Sequence, residues 1–415
     1  MPFKEICRLE QRVGMLCDYE SGAFTVTELC ARYGVSRDVF YKWKARRESG
    51  AGDWFMDRSH AAHDCPHRTA PALSQAVVAV RRRFPHFGPK KIRALLMREQ
   101  PGQAWPAAST MGDILRRAGL IQSRPRRRRP IAQGSTSTPA AAPNAEWAID
   151  FKGWVLAGDG TRCDPLTLTD SFSRYLLDVR LCEVSTAGVK PILERVFRAH
   201  GLPRAIRSDN GAPFGSEGVG GLTRLSVWWL KLGIEPRFIP PASPQDNGRH
   251  ERFHRTLAEH TTDTPAASPA ELQNRFELFR HHYNHERPHQ ALGQATPAQC
   301  WTPSPRPMPD RLDDPVYSAS CLPRRVRHNG CIKWAGEEVF IGHALAGELI
   351  GLVERDEGQT LVSFAAQDLG LINHRGRFVR FAPLRHRLRE AHKTHPTTTK
   401  VSTINPVQSV DNQPG

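Results

Sequence analysis

No run of 18 apolar residues occurs in the 415-residue chain, which excludes a membrane-spanning helix. The opening MPFKEICRLEQ carries charges where a secretory leader needs its apolar segment, so export by that route is not expected. Nine cysteines are scattered from Cys7 to Cys331 without a C-x-x-C pair, which argues against a disulfide frame or a zinc ribbon. Those absences point to the cytoplasm. Acid is also in short supply, with 42 Asp and Glu against 58 Lys and Arg. A formal charge of +16 favours a polyanionic partner, whether DNA, RNA or an acidic membrane surface. Hydrophobic residues at 39% and charged residues at 24% are globular proportions and exclude a wholly disordered chain.

The chain is long enough for about three domains. Residues 1–57 read as a helix-turn-helix. Thr25 or Thr27 caps a helix through Tyr33, Gly34 allows a sharp bend, and Ser36 caps a second helix. Val39, Phe40 and Trp43 are expected to share its buried face. Arg37, Lys42, Lys44 and Arg46 then lie on the open side, where such a helix enters a major groove. A second helical module over 70–121 has Ala76, Val77, Val80 and Phe84 in one stripe, Pro89 at a helix start and Gly119 at a helix end. Residues 122–143 hold five Arg, several Pro and no acid. They read as a linker in which Arg126, Arg127 and Arg128 either follow phosphates or simply solubilise.

From Trp147 the periodicity changes. Residues 146–151, 166–169 and 174–179 read as strands, 185–200 as a helix, and a short strand ends at Ser208. That order suggests a mixed α/β layer fold over 144–301. Short strands at 332–334, 338–341, 349–353, 361–364 and 377–381 suit a small β-barrel over 320–385, and 388–415 reads as a disordered tail.

Three acids stand out by their surroundings. Asp150 interrupts an apolar strand, where an acid belongs only if it works or is paired. Asp209 ends a strand before Asn210-Gly211, beyond a strand carboxyl end, where α/β sheets place functional groups. Glu251 lies on a helix that starts at Ser243 and Pro244, sharing a face with Asn247, Gly248, His254 and Arg255. Three carboxylates gathered at one spot would repel one another. Two divalent cations roughly 3.5–4 Å apart would neutralise them and clamp an in-line phosphoryl transfer. Oxygen ligands favour Mg2+, with Mn2+ as a substitute.

IDFKGW around Asp150, RSDNGAPF around Asp209 and SPQDNGRHERFHRTL around Glu251 closely resemble the D…D…E core of bacterial insertion-sequence transposases, within the retroviral-integrase superfamily. YNHERPHQALGQATPAQCW, Tyr283 to Trp301, resembles the segment that follows that core. The resemblance implies an RNase H-like fold with Asp150, Asp209 and Glu251 as metal ligands and catalytic groups. It implies double-stranded DNA as partner, both the element's terminal inverted repeats and the target. Metal-dependent cleavage would free a 3′-OH that attacks a target phosphodiester, with self-association in the active complex. Asp209 and Glu251 are separated by 41 residues, more than is usual in that superfamily, and the extra length falls within Gly215 to Gly233.

Other readings stay open on the residues alone. Arg249, Arg252 and Arg255 either hold DNA phosphates or form a solvated face. Trp228 and Trp229 are either core or a platform for DNA bases. His60, His63, Cys65 and His67 form a loose cluster whose spacing fits no common zinc pattern, and Asp170 reads as a turn residue. A non-catalytic DNA-binding regulator and an RNase H-like nuclease are the competing functions.

Overall fold

The computed structural model describes residues 7–58, 68–121, 140–239, 244–262, 264–355 and 358–381. The His60–His67 cluster and Arg126 to Arg128 lie outside them. Two compact units emerge, residues 1–69 and residues 70–415.

The first unit holds α1 (Arg8–Glu20), α2 (Val26–Tyr33) and α3 (Arg37–Glu48). Thr25 caps α2 in a reciprocal box with Glu28, whose carboxylate accepts from the Thr25 amide at 2.8 Å. Gly34 takes φ +64°, a left-handed turn that costs other residues strain, and Ser36 then caps α3. Met15, Leu16, Leu29, Phe40 and Trp43 close a small core. Val39, expected inside, is 36% exposed. The buried stripe of α3 runs through Phe40 and Trp43, at i and i+3, which turns Val39 aside.

The second unit begins with α4 (Pro71–Arg83), α5 (Pro89–Glu99) and α6 (Ala108–Arg117), packed around Val77, Phe87, Ile92, Met111 and Leu115. Its sheet comprises β1 (Trp147–Phe151), β4 (Pro165–Asp170), β5 (Leu176–Leu181), β6 (Ala205–Ser208) and β7 (Glu235–Phe238), with a minor hairpin of β2 (Val155–Leu156) and β3 (Arg162–Cys163). The order is β5-β4-β1-β6-β7, antiparallel from β1 through β5 and parallel from β1 through β7. Pro236 disguised β7, and proline is tolerated there because β7 is the edge strand.

On one face Trp147, Ile149, Leu166, Leu168 and Ile206 pack against α7 (Thr186–His200) and α8 (Arg224–Lys231). On the other, Leu176 and Val179 meet α9 (Pro244–Thr261) and α10 (Pro269–His281) through Phe253, Leu257 and Phe276. This three-layer α/β arrangement fits an RNase H-like core. The segment after α10 is tied to it, since Asn284 both donates to and accepts from the backbone of Leu176, at 2.9 and 2.8 Å. Trp301 stacks on Tyr175 with centroids 4.1 Å apart. The corner between α4 and α5 also docks here: Phe84 stacks on His282, and His86 lies 4.5 Å from the His260 ring.

The C-terminal region contains β8 (Leu322–Arg325), β9 (Cys331–Trp334), β10 (Glu337–Phe340), β11 (Leu349–Arg355), β12 (Gln359–Phe364), β13 (Gln367–Ile372) and β14 (Phe378–Arg380). Five form an antiparallel sheet, β14-β13-β12-β11-β8, and β9 with β10 form a separate ribbon. Among the described residues these ladders do not join into a closed barrel. Val219, Leu222 and Val227 share this region's core, while Leu225, Trp228 and Trp229 belong to the core beneath the central sheet. The long Gly215–Gly233 segment is therefore a bridging layer between two cores.

Candidate active site

The register of β1 and β6 sets Trp147 opposite Ile206 and Ala148 opposite Arg207. Asp150 follows two residues after Ala148 on β1, and Asp209 follows two residues after Arg207, one residue past the end of β6. Because Ile149 is in the core beneath α7 and α8, alternation turns Asp150 toward the α9 side, where His250 and His254 lie.

Local turn chemistry fixes Asp209. Its carboxylate accepts from the Gly211 amide at 3.2 Å, and Asn210 Nδ2 donates to the Ile239 carbonyl at 2.7 Å. The loop folds tightly enough that a Cβ on Gly215 would stand 2.8 Å from the Asn210 carbonyl. Burial pushes the Asp209 carboxyl up, opposed by the Gly211 hydrogen bond. A partly desolvated carboxylate of this kind is stabilised by an adjacent cation.

Beside Asp150, His250 and His254 face inward from α9, one turn apart. One ligand atom from each of these three residues lies within 4.8 Å of the others. Both imidazole Nε2 atoms are 2.9 Å from the Thr167 hydroxyl, and that hydroxyl donates to the Asp150 carbonyl at 3.0 Å. Burial drives the His250 imidazole well below its ordinary range, with His254 adding to it. His254 is pushed down to about 4, by burial first and then by Lys152. Both rings are neutral at pH 7.

Glu251 follows His250 on α9 and is exposed. Glu259, two turns further on, lies 4.0 Å from His86 and so serves the contact with the helical module. Asp170 is a turn residue: its carboxylate accepts from the amides of Asn144 and Ser173 and from the Ser173 hydroxyl. Arg249, Arg252 and Arg255 are exposed on α9. On α3, Arg37 and Lys42 are exposed, Arg37 also donating to Thr27. Lys44 donates to the Tyr19 hydroxyl at 3.0 Å, and Arg46 to the Met56 carbonyl at 3.3 Å while stacking over Trp43. Those last two hold the first unit's own fold together. Trp228 and Trp229 are 7% and 0% exposed, which removes them as a platform for bases.

One donor set is gathered among the described residues, the Asp150 carboxylate with the His250 and His254 imidazoles. An imidazole pair with one carboxylate is transition-metal chemistry, but here both Nε2 atoms are engaged by Thr167. Asp209 and Glu251 are acids of the oxygen-ligand kind that Mg2+ or Mn2+ prefers, and neither is in that set. Thr167 and His250 were missed from sequence. The signal available was a pair of histidines four residues apart on a helix, facing an alternating L-T-L-T-D strand.

The integrase core domain family matches residues 140–244 and again 232–297. A protein of insertion element IS476 from Xanthomonas euvesicatoria is 28% identical over 273 residues, 65% of this chain and 70% of the relative. One from IS407 of Burkholderia multivorans is 28% identical over 253 residues, 59% of this chain and 86% of the relative. An IS136 protein of Agrobacterium fabrum is 32% identical over 142 residues, 32% of this chain and 70% of the relative. The chain belongs to the insertion-sequence transposases with a retroviral-integrase-like core. Asp150 and Asp209 fall within the 140–244 match, and Glu251, His250 and His254 within the 232–297 match. Among solved structures, the simian T-cell lymphotropic virus intasome with a PP2A regulatory subunit aligns at TM-score 0.35 and 18% identity, over 74% of this chain and 98% of that one. The HTLV-2 integrase catalytic core with magnesium aligns at 0.29 and 17%, over 39% and 97%.

Proposed function

We propose that this protein is a DNA transposase that cleaves the 3′ ends of its insertion element and joins them to target DNA. The reading is supported by Asp150 on β1 and Asp209 just past the end of the neighbouring parallel strand β6, both within the 140–244 integrase-core match, with Glu251 within the 232–297 match. Asp150, Asp209 and Glu251 are the groups that would hold divalent cations, Mg2+ with Mn2+ as substitute. When bound, those cations supply charge neutralisation and Lewis acidity at a phosphodiester. The protein's own residues do the rest. Arg249, Arg252 and Arg255 present guanidinium groups on the helix that carries Glu251 and draw phosphates to the acids. Arg37 and Lys42 on α3 contact the terminal repeats, and Arg126, Arg127 and Arg128 follow the backbone between the helical modules and the core.

Joining two ends to one target requires self-association in the active complex. No described helix is long and apolar enough to cross a membrane, and the proposed setting is cytoplasmic, on nucleoid DNA.

The test incubates protein, Mg2+ and labelled terminal DNA, comparing wild type with Asp209→Asn. Metal-dependent cleavage and a joined product in wild type, both lost on substitution, are expected. Cleavage that survives Asp209→Asn would overturn the assignment. Binding without cleavage in wild type would leave a regulator, and cutting without joining a nuclease.

A further inference from the structure

We propose that Thr167 is a positioning residue whose hydroxyl fastens α9 to β1 and so sets Glu251 against Asp150. The proposal rests on the reading of those acids as metal ligands. Thr167 is fully buried and sits directly opposite Asp150 in the β1–β4 ladder. A hydroxyl has one proton and two lone pairs. The proton goes to the Asp150 carbonyl, so both lone pairs are left to accept, and His250 and His254 must each present Nε2–H. Every hydrogen-bonding capacity of the hydroxyl is used.

The consequence is geometric. Two contacts one helical turn apart fix both the axial position and the rotation of α9, since each residue advances a helix by about 1.5 Å and 100°. Glu251 stands between the two histidines in sequence, so the clasp determines where its side chain is delivered. A slip of one residue would carry it about a quarter-turn away. The role of the clasp is positional: it acts through the carboxylates on either side of it.

Mn2+ binding to the full-length protein, followed by electron paramagnetic resonance without DNA, tests this independently of turnover. Thr167→Val keeps the shape and removes the hydroxyl. It is expected to weaken Mn2+ affinity by about 10- to 100-fold, the usual cost of losing a group that orients metal ligands. Thr167→Ser should restore it. Melting measured without metal shows whether each variant is folded, and if Thr167→Val is not, His254→Leu removes one arm of the clasp and takes its place. Wild-type Mn2+ affinity in a folded Thr167→Val or His254→Leu protein would overturn the proposal. Asp209→Asn separates the two levels: if it too binds Mn2+ like wild type, the acidic site itself is wrong. If it loses Mn2+ while Thr167→Val does not, only the clasp fails.

Discussion

The two faces of the central sheet are made from the same strands and serve different ends. Beneath α7 and α8 the face is apolar: Trp147, Phe197 and Trp229 are fully buried and packed against one another and their neighbours. Toward α9 the same strands show Asp150, Thr167, Thr169 and Arg207, and the covering helix answers with histidines. Strand alternation produces the division: along β1, Trp147, Ile149 and Phe151 face one core, and Ala148 and Asp150 face the α9 side. The α7–α8 face is apolar, whereas the α9 face adds to its own apolar cluster of Leu176, Val179, Phe253 and Phe276 a set of buried polar groups, which are costly to hold and are tolerated where they are partnered.

That contrast can be broken most directly with Phe197→Ala. Phe197 has no solvent exposure and lies against Trp147 and Trp228. Its truncation is expected to cost about 3–5 kcal/mol, read from urea unfolding, with residual cleavage falling only as folded protein is lost. Unchanged stability together with lost cleavage would show that the apolar face takes part in the chemistry.

A smaller effect sharpens the comparison at the edge of the α9 layer, where the helical module docks. Burial pushes His260 and His289 down to about 3 and lowers His282 as well. Below the ordinary imidazole value of 6.5 the unfolded chain takes up protons that the folded one refuses. Stability is therefore full above about pH 6.5 and is lost as pH falls toward 3. His260→Phe should shift the acid unfolding midpoint, followed by circular dichroism, to lower pH. A midpoint that does not move would assign the acid sensitivity elsewhere.

Much of the fold was legible because the period of the sequence matched the burial of its elements. β1, β4, α7 and β6 each show it, and Gly34, Ser36 and Pro89 punctuate the helices where turn and cap chemistry require. β7 and β13 were hidden by Pro236, and by Asp368 and Gly370, residues that weaken a strand pattern without preventing pairing. Of the candidate acids, Asp150 is legible as an acid inside an apolar strand and Asp209 as one that ends a short strand before Asn210-Gly211. Thr167 did not, because its role depends on a ladder register that places it opposite Asp150, and no local pattern states a register. The same limit applies to the contacts that Lys44 and Arg46 make with Tyr19 and Met56, which no local pattern in α3 states.

The acidic site is most directly tested by anomalous scattering from crystals grown with Mn2+. Manganese is expected to be held by the carboxylates of Asp150 and Asp209, with Glu251 completing the set and the Thr167 hydroxyl still bonded to both imidazoles. Manganese ligated instead by Asp150, His250 and His254, with Asp209 and Glu251 left aside, would contradict it.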